Sequence, residues 1–246
     1  MNSDSYSDSE EDQDNTTIKQ LNYSDIPKYS TILVVASRRS GKSVFSRDLV
    51  YKEFIKKRKI KNFVIVSPTI HNGDYAFLDD KYKFTEFNEQ FLNKILENQQ
   101  KQILQDPKSP YIDLVLVLDD IIKSTNANTK DCLSRLFTLS RHYRIYCILA
   151  VQSLKHECTP TIRFNSDIVV VFKTKNYQNK QEITETWLGF STKEERDQGL
   201  SVIDEVAQGY RAMVINNVIH SNKLEELITY TQVDIDKSVP KDFFLY

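Results

Sequence analysis

Five short apolar runs punctuate the chain, at 31–36, 61–67, 113–118, 145–151 and 167–173, and each is continuous rather than alternating. A strand with one wet face alternates apolar and polar residues, whereas a strand covered on both faces does not. The runs therefore predict buried strands of one mainly parallel sheet with helices on both faces, a doubly wound α/β arrangement. Between them the period shifts toward 3.6. Segment 43–58 puts Val44, Phe45, Leu49, Val50 and Phe54 on one side, and 88–104 does the same with Phe91, Ile95, Leu96 and Ile103, so both predict helices. The second run ends at Ser67-Pro68, followed by the turn-rich HNGDY and then by a small extra strand expected over Tyr82 to Phe87. Beyond 175, a helix is expected from Lys193 to Gln208 and a strand from Tyr210 to Ile215. In such a sheet ligands bind at the carboxyl ends of the strands, so the chemistry is sought there.

The first run leads into the most specific signal, TILVVASRRSGKS at Thr31 to Ser43. A β-branched strand feeding a loop that closes on Gly41, Lys42 and Ser43 before a helix is the context of a phosphate-binding loop. The loop Ala36, Ser37, Arg38, Arg39, Ser40, Gly41, Lys42 and Ser43 is the expected nucleotide-binding segment, in which the backbone N–H groups of Ser37 to Lys42 can curl around a β-phosphate at the positive end of the helix. Lys42 would reach the β- and γ-phosphates, and the Ser43 hydroxyl would ligate Mg²⁺. Ala36 stands where the pattern G-x-x-x-x-G-K-[ST] begins with Gly. Its Cβ disfavours positive φ, so the loop requires an ordinary backbone conformation at residue 36.

The third run, LVLVL, runs into Asp119 and Asp120 at its carboxyl end. This is the arrangement of a Walker B element: Asp119 would hold the Mg²⁺ shell opposite Ser43, and Asp120 would orient or deprotonate the water that attacks the γ-phosphate. A second acid aimed at water suits a hydrolase better than a nucleotide kinase, although paired acids after a strand also serve as a turn or helix cap. The fourth run ends in Gln152, an amide able to sense the γ-phosphate or position water.

Composition sets the remaining bounds. The 246 residues, 40% hydrophobic and 27% charged, suffice for one globular domain, expected over 18–246 with its core at about 30–175 and an extension at 176–246. Residues 1–15 hold six acids and no base, which predicts a disordered acidic tail over 1–17; the other residues hold 33 bases and 28 acids, a net of +5. No run approaches the roughly 20 apolar residues of a membrane span, and no basic, apolar leader opens the chain. Three cysteines form no even disulfide framework, and His156 with Cys158 lacks a second ligand pair at zinc-finger spacing. A reducing intracellular compartment is expected.

The ordered set ASRRSGKS, LVLVLDD, SRHYRI, ILAVQS and TPTIRFNSDIVVVF resembles the viral genome-packaging ATPases of the FtsK/HerA superfamily, in the form found in poxviruses, other large DNA viruses and virophages. The resemblance covers about residues 30–175. It implies a RecA-like, ASCE-type P-loop NTPase whose five core strands lie in the order 5-1-4-3-2, with Gln152 on a sensor strand between the phosphate-loop and Walker B strands. It further implies ATP and Mg²⁺, a homo-oligomeric ring, double-stranded DNA as the translocated partner, a capsid or portal-vertex protein as the docking partner, and the host cytoplasm or viral factory as the location. An arginine from the neighbouring subunit would complete the site, with Arg141 and Arg163 at the positions the resemblance marks and Arg144 a weaker third. Asp120 departs from the Glu usual in the wider superfamily but is familiar in the poxvirus-like members.

DNA contact is read less directly from Lys52, Lys56, Lys57, Arg58, Lys59 and Lys61, since lysines at a helix C-terminus also satisfy the macrodipole. The ending Phe243, Phe244, Leu245 and Tyr246 suits docking on a capsid or neighbouring subunit, or packing back on the domain. Three other functions stay open: a DNA helicase or conjugation-type pump, a P-loop nucleotide kinase, and a non-enzymatic capsid scaffold.

Overall fold

The computed structural model describes residues 18–121, 127–221 and 223–234, so the acidic tail at 1–17 and the apolar ending from Phe243 to Tyr246 lie outside the described residues. The first strand, β1 (Thr31–Val35), leads through the phosphate loop into α1 (Lys42–Leu49). The helix does not continue unchanged to residue 58: Val50–Lys57 widens into a π-helical stretch whose last bond runs from Arg58 N–H to Glu53 O at 2.8 Å. That five-residue step brings the Arg58 guanidinium onto the Glu53 carboxylate at 2.7 Å, a pairing that the sequence periodicity does not reveal.

The chain then forms β2 (Asn62–Val66), a two-residue β3 (Lys83–Phe84), α2 (Glu89–Gln105) and β4 (Leu114–Asp119). Next come α3 (Ala127–Leu139), β5 (Ile145–Val151), the short helices α4 (Leu154–Glu157) and α5 (Pro160–Phe164), and β6 (Ile168–Val171). The C-terminal part adds α6 (Tyr177–Trp187), α7 (Lys193–Val206), β7 (Arg211–Asn216), α8 (Leu224–Leu227) and β8 (Ile228–Gln232).

Among the described residues the strands form one sheet in the order β3-β2-β4-β5-β1-β6-β7-β8. Its middle, β6-β1-β5-β4-β2, is parallel throughout and reproduces the expected 5-1-4-3-2 core. The sheet is larger than that core and mixed. β3 extends one edge in parallel, while β7 and β8 extend the other antiparallel, covering the edge that β6 would otherwise leave unpaired. The segment beyond 175 thus joins the same sheet.

Continuous apolar strands are buried on both faces, as their pattern requires. Leu33 and Val35 of β1 and Cys147 and Leu149 of β5 pack with Leu96 of α2, Leu133 and Leu136 of α3, Ile183 of α6 and Ile203 of α7. On the other face Ile32, Val34, Ile148 and Ala150 meet Phe45 and Leu49 of α1 and Phe54 of the π-helical stretch. Truncating Leu116, fully buried in β4, to Ala would cost about 2–5 kcal/mol through lost transfer energy and the cavity left. Buried Gln99 on α2 donates at 2.9 Å to the carbonyls of both Ile112 and Tyr143, tying the helix to the approaches of β4 and β5. This two-sided packing fixes β1, β4 and β5 side by side, and with them the residues at their carboxyl ends.

Candidate nucleotide-binding site

The loop after β1 begins as a continuation of the sheet: Ala36 is buried, and its N–H donates to Val151 O at 3.0 Å. Positive φ falls instead at Arg39 (60°) and Gly41 (104°). The conformational freedom of the missing first glycine is therefore not called on at Ala36. Gly41 does need to be glycine for its φ, since the rings of Phe172 and Tyr210, 3.4 Å from where a Cβ would stand, leave room for ordinary contact. Ser40 Oγ donates to Ser37 O at 2.7 Å and closes the loop. Gly41 is also the N-cap of α1 and supplies no side-chain acceptor. The first amides of α1 consequently point into the loop with the positive end of the helix dipole behind them.

Five predicted residues converge in front of those amides. Lys42, 6% exposed, forms an ion pair with Asp120 and stands 3.3 Å from Asp119 Oδ1. Ser43 Oγ donates to Asp119 Oδ2 at 2.8 Å, and Gln152 Nε2 donates to Asp120 Oδ1 at 2.9 Å. The sheet order explains the convergence. β4, β5 and β1 are consecutive, so Asp119 and Asp120, Gln152, and the phosphate loop leave three neighbouring strands at one end. Asp120 sits in the left-handed region (φ 55°), which Asp tolerates better than most residues and which turns its carboxylate back toward Lys42. A cleft of about 500 Å³ opens over this group, lined also by Arg38, Arg39, Thr69 and Asn72.

Two further residues of the site were missed in the sequence. The carboxylate of Glu157, on α4, accepts from the backbone N–H groups of Gln152 and Ser153, each at 3.1 Å. Asn179, on α6 and 1% exposed, accepts from Leu154 N–H at 2.9 Å and donates to Gln152 O at 2.8 Å. Together they hold the backbone around Gln152 by four hydrogen bonds. Burial pushes the Glu157 carboxyl above its ordinary pKa, opposed by the two amides and by Lys42, while Asp120 adds to the rise. Neither residue lies in a motif. Glu157 stands four residues beyond Ser153 at a helix start, one beyond the capping-box spacing, so no local pattern marks it.

The donor set fits Mg²⁺. Asp119 Oδ1 is buried and accepts no hydrogen bond, and the Ser43 hydroxyl adjoins the same carboxylate. One carboxylate and one hydroxyl are hard oxygen donors in the small number that Mg²⁺ takes from protein when phosphate and water supply the rest. Among the described residues no cluster of three His, Cys, Asp or Glu groups forms an all-protein metal cage, and Cys132, Cys147 and Cys158 are buried free thiols.

The arginines separate by environment. Arg141, its side chain 63% exposed, donates to Asp167 Oδ1 at 2.8 Å. Asp167 in turn accepts from Thr31 N–H, so Arg141 lies at the opposite end of β1 from the phosphate loop, about 16 Å away by strand rise. Arg163, its side chain 15% exposed, pairs with Glu182 at 3.1 Å. Arg144 pairs with Asp113 at the entry to β4. Arg58 is structural rather than a member of a DNA-binding cluster. It donates to Glu53, to Tyr146 OH at 3.0 Å and to Ile26 O at 2.6 Å, and stacks on Phe54 and Tyr146. Lys52 is held by Asp48 at 2.7 Å.

Comparison with known proteins bears on the family and the fold. The profile of the family described as Poxvirus A32 protein matches residues 19–242. Uncharacterized protein 088R of Invertebrate iridescent virus 3 is 27% identical over 205 residues, covering 82% of this chain and 74% of the relative. Uncharacterized protein L437 of Acanthamoeba polyphaga mimivirus is 26% identical over 207 residues, covering 80% and 70%. In fold, the chain is similar to the genome packaging NTPase B204 of Sulfolobus turreted icosahedral virus 2 in complex with AMPPCP. The TM-score is 0.57 at 14% identity, over 84% of this chain and 99% of that one. The pCW3 conjugation coupling protein TcpA gives a TM-score of 0.55 at 12% identity, over 83% and 60%. At these identities the structural likenesses establish the P-loop ATPase fold.

Proposed function

The chain belongs to the poxvirus A32 protein family, and from that premise we propose that it is a viral packaging ATPase that hydrolyses ATP to drive double-stranded DNA into a preformed capsid. The observation that carries the reading is the bridge of Lys42 between Asp119 and Asp120, with Gln152 joined to the same Asp120. B204, similar in fold, is a genome packaging NTPase that binds ATP-γS as well as AMPPCP.

The residues divide the work as follows. The amides of the loop from Ser37 to Lys42 bind the phosphates, whereas the N–H of Ala36, in the same expected segment, is taken by Val151 O in the sheet. The Lys42 ammonium, held by Asp120 in this structure, turns to the β- and γ-phosphates when ATP enters. Asp120 is thereby released to accept a hydrogen bond, and then a proton, from the attacking water. Gln152 keeps its amide on Asp120 and so registers whether the γ-phosphate is in place. Ser43 and Asp119 would hold Mg²⁺, which when bound supplies charge neutralisation at the β- and γ-oxygens.

Arg141 cannot serve its own site from the far end of β1, and its exposure suits it to reach a neighbour. We assign it as the arginine supplied in trans, where it stabilises charge on the transferred phosphoryl group. A head-to-tail contact that closes makes the homo-oligomeric ring that this requires. Arg163, paired with Glu182, serves as a structural ion pair. Lys56, Lys57, Lys59 and Lys61 supply sequence-independent phosphate contacts to DNA. A capsid or portal-vertex protein receives the ring, in the host cytoplasm or viral factory. Among the described residues no helix is long and apolar enough to cross a membrane.

The likeness to TcpA favours a second reading, a conjugation-type DNA pump. A triplex-displacement assay on duplex DNA tests translocation: ATP-dependent release of the third strand without separation of the duplex supports a packaging-type translocase. Separation of the duplex strands would support a helicase.

A further inference from the structure

A second cavity, of about 430 Å³, opens on the other side of the phosphate loop, lined by Ser37, Arg38, Arg39, Lys173, Lys175 and Tyr210 among others. It shares Arg38 and Arg39 with the cleft over Lys42, so the two cavities adjoin at these side chains. We propose that this cavity receives the purine base and ribose of the bound nucleotide and accepts guanine about as readily as adenine; the proposal rests on the nucleotide-site reading above.

The fold puts an aromatic ring where a base would lie. β7 is antiparallel to β6, so Tyr210, the residue before β7, stands at the carboxyl end of the parallel strands beside Phe172 and Lys173. Its ring packs against Gly41 and is 38% exposed, which leaves ring surface open toward the cavity. Arg38, Arg39, Lys173 and Lys175 line the same space, and among the described residues none of the four forms an ion pair. An exposed ring and guanidinium groups that line one cavity offer flat faces for a base to stack on, and ammonium groups there suit ribose hydroxyls and the α-phosphate.

The lining also predicts the selectivity. Adenine and guanine share the N7 acceptor, but adenine presents a donor at N6 where guanine presents the O6 acceptor. Arg and Lys donate only, whereas the Ser37, Ser40 and Tyr210 hydroxyls that also line the cavity can accept from N6 or donate to O6, so no side chain there is an acceptor alone. Strong discrimination needs a buried polar group that the wrong base leaves unpaired. Donors are available to N7 of either purine, the hydroxyls can turn to serve O6 or N6, and stacking on Tyr210 is indifferent to the base, so the preference between the purines stays within about tenfold.

Equilibrium binding of AMPPCP, GMPPCP and baseless tripolyphosphate, measured by calorimetry on the full chain, tests this. Tyr210→Ala is expected to weaken both analogues roughly tenfold and leave tripolyphosphate unchanged, with Tyr210→Phe close to wild type. Equal weakening of tripolyphosphate would mean that Tyr210 only supports the loop through Gly41, and unchanged analogue binding would mean that the base lies elsewhere; either overturns the proposal. A preference for AMPPCP well above tenfold overturns the selectivity claim. Loss of duplex DNA affinity in Lys173→Ala/Lys175→Ala with analogue binding intact would reassign the cavity to DNA. Lys42→Ala is the control for the underlying reading: it should weaken all three probes, and if it weakens none, the nucleotide site itself is misplaced.

Discussion

Replacing Asn179 by Ala removes two hydrogen bonds from the backbone around Gln152 while leaving every proposed nucleotide-contacting residue in place. Leu154 N–H is buried, so losing its acceptor costs about 2 kcal/mol; Gln152 O is only partly buried, and water replaces its donor at a cost of about 1 kcal/mol. A total near 3 kcal/mol lowers the melting temperature of a chain this size by roughly 6–12 °C. Because these bonds hold the strand end that aims Gln152 at Asp120, kcat should fall by about 10- to 100-fold. The KM for ATP should move by no more than about twofold, since the phosphate loop and Lys42 make no hydrogen bond to α6. Thermal melting and steady-state hydrolysis on the same preparation separate the two effects. A lowered melting temperature with unchanged kcat, measured well below the transition, would show that Asn179 only stabilises the fold, and would refute its role in positioning Gln152.

Arg141→Ala should retain AMPPCP binding but lose at least about 10³-fold in kcat. Mixing it with Lys42→Ala, which keeps Arg141, should restore part of the hydrolysis if the arginine acts between subunits, and a mixture that stays inactive would refute that assignment. The charged Glu157 carboxylate accepts from two amides, and its pKa is raised, so lowering the pH protonates it earlier than an ordinary glutamate and turns one acceptor into a donor facing an N–H. Hydrolysis should therefore fall on the acid side as pH drops through that raised value, and Glu157→Gln should be impaired at neutral pH and lack that limb. Arg58→Ala should cost about 3–5 kcal/mol by leaving Glu53, 3% exposed, without its cation. Lys57→Ala should change stability by less than about 0.5 kcal/mol and act only on the salt dependence of DNA binding; denaturant melts and filter binding check both.

The strands that carry the chemistry were legible because burial on both faces leaves no polar residue inside them, as in LVLVL of β4 and IYCILAV of β5. The phosphate loop was legible for a different reason: Gly41, Lys42 and Ser43 are bound to that spacing by the backbone itself. What escaped was held by tertiary contact. β8, ITYTQ, is short, half-polar and at an edge, so no run announces it. The polar helix α6 shows its buried side only through Asn179, Ile183, Thr184 and Trp187, two of which are polar. Glu157 and Asn179 act on backbone groups, and such partners follow no pattern in the chain. Arg58 read as one basic residue among six until its carboxylate, its phenol and its carbonyl were located around it.

A packaging motor has an ATP site that answers to DNA. The most direct measurement is ATP hydrolysis with and without double-stranded DNA at matched low salt, for wild type, Lys42→Ala and Asp120→Asn. DNA is expected to stimulate the wild type, both variants to abolish the stimulated rate, and Asp120→Asn still to bind nucleotide. Hydrolysis indifferent to DNA, or a stimulated rate that survives Lys42→Ala, would contradict it.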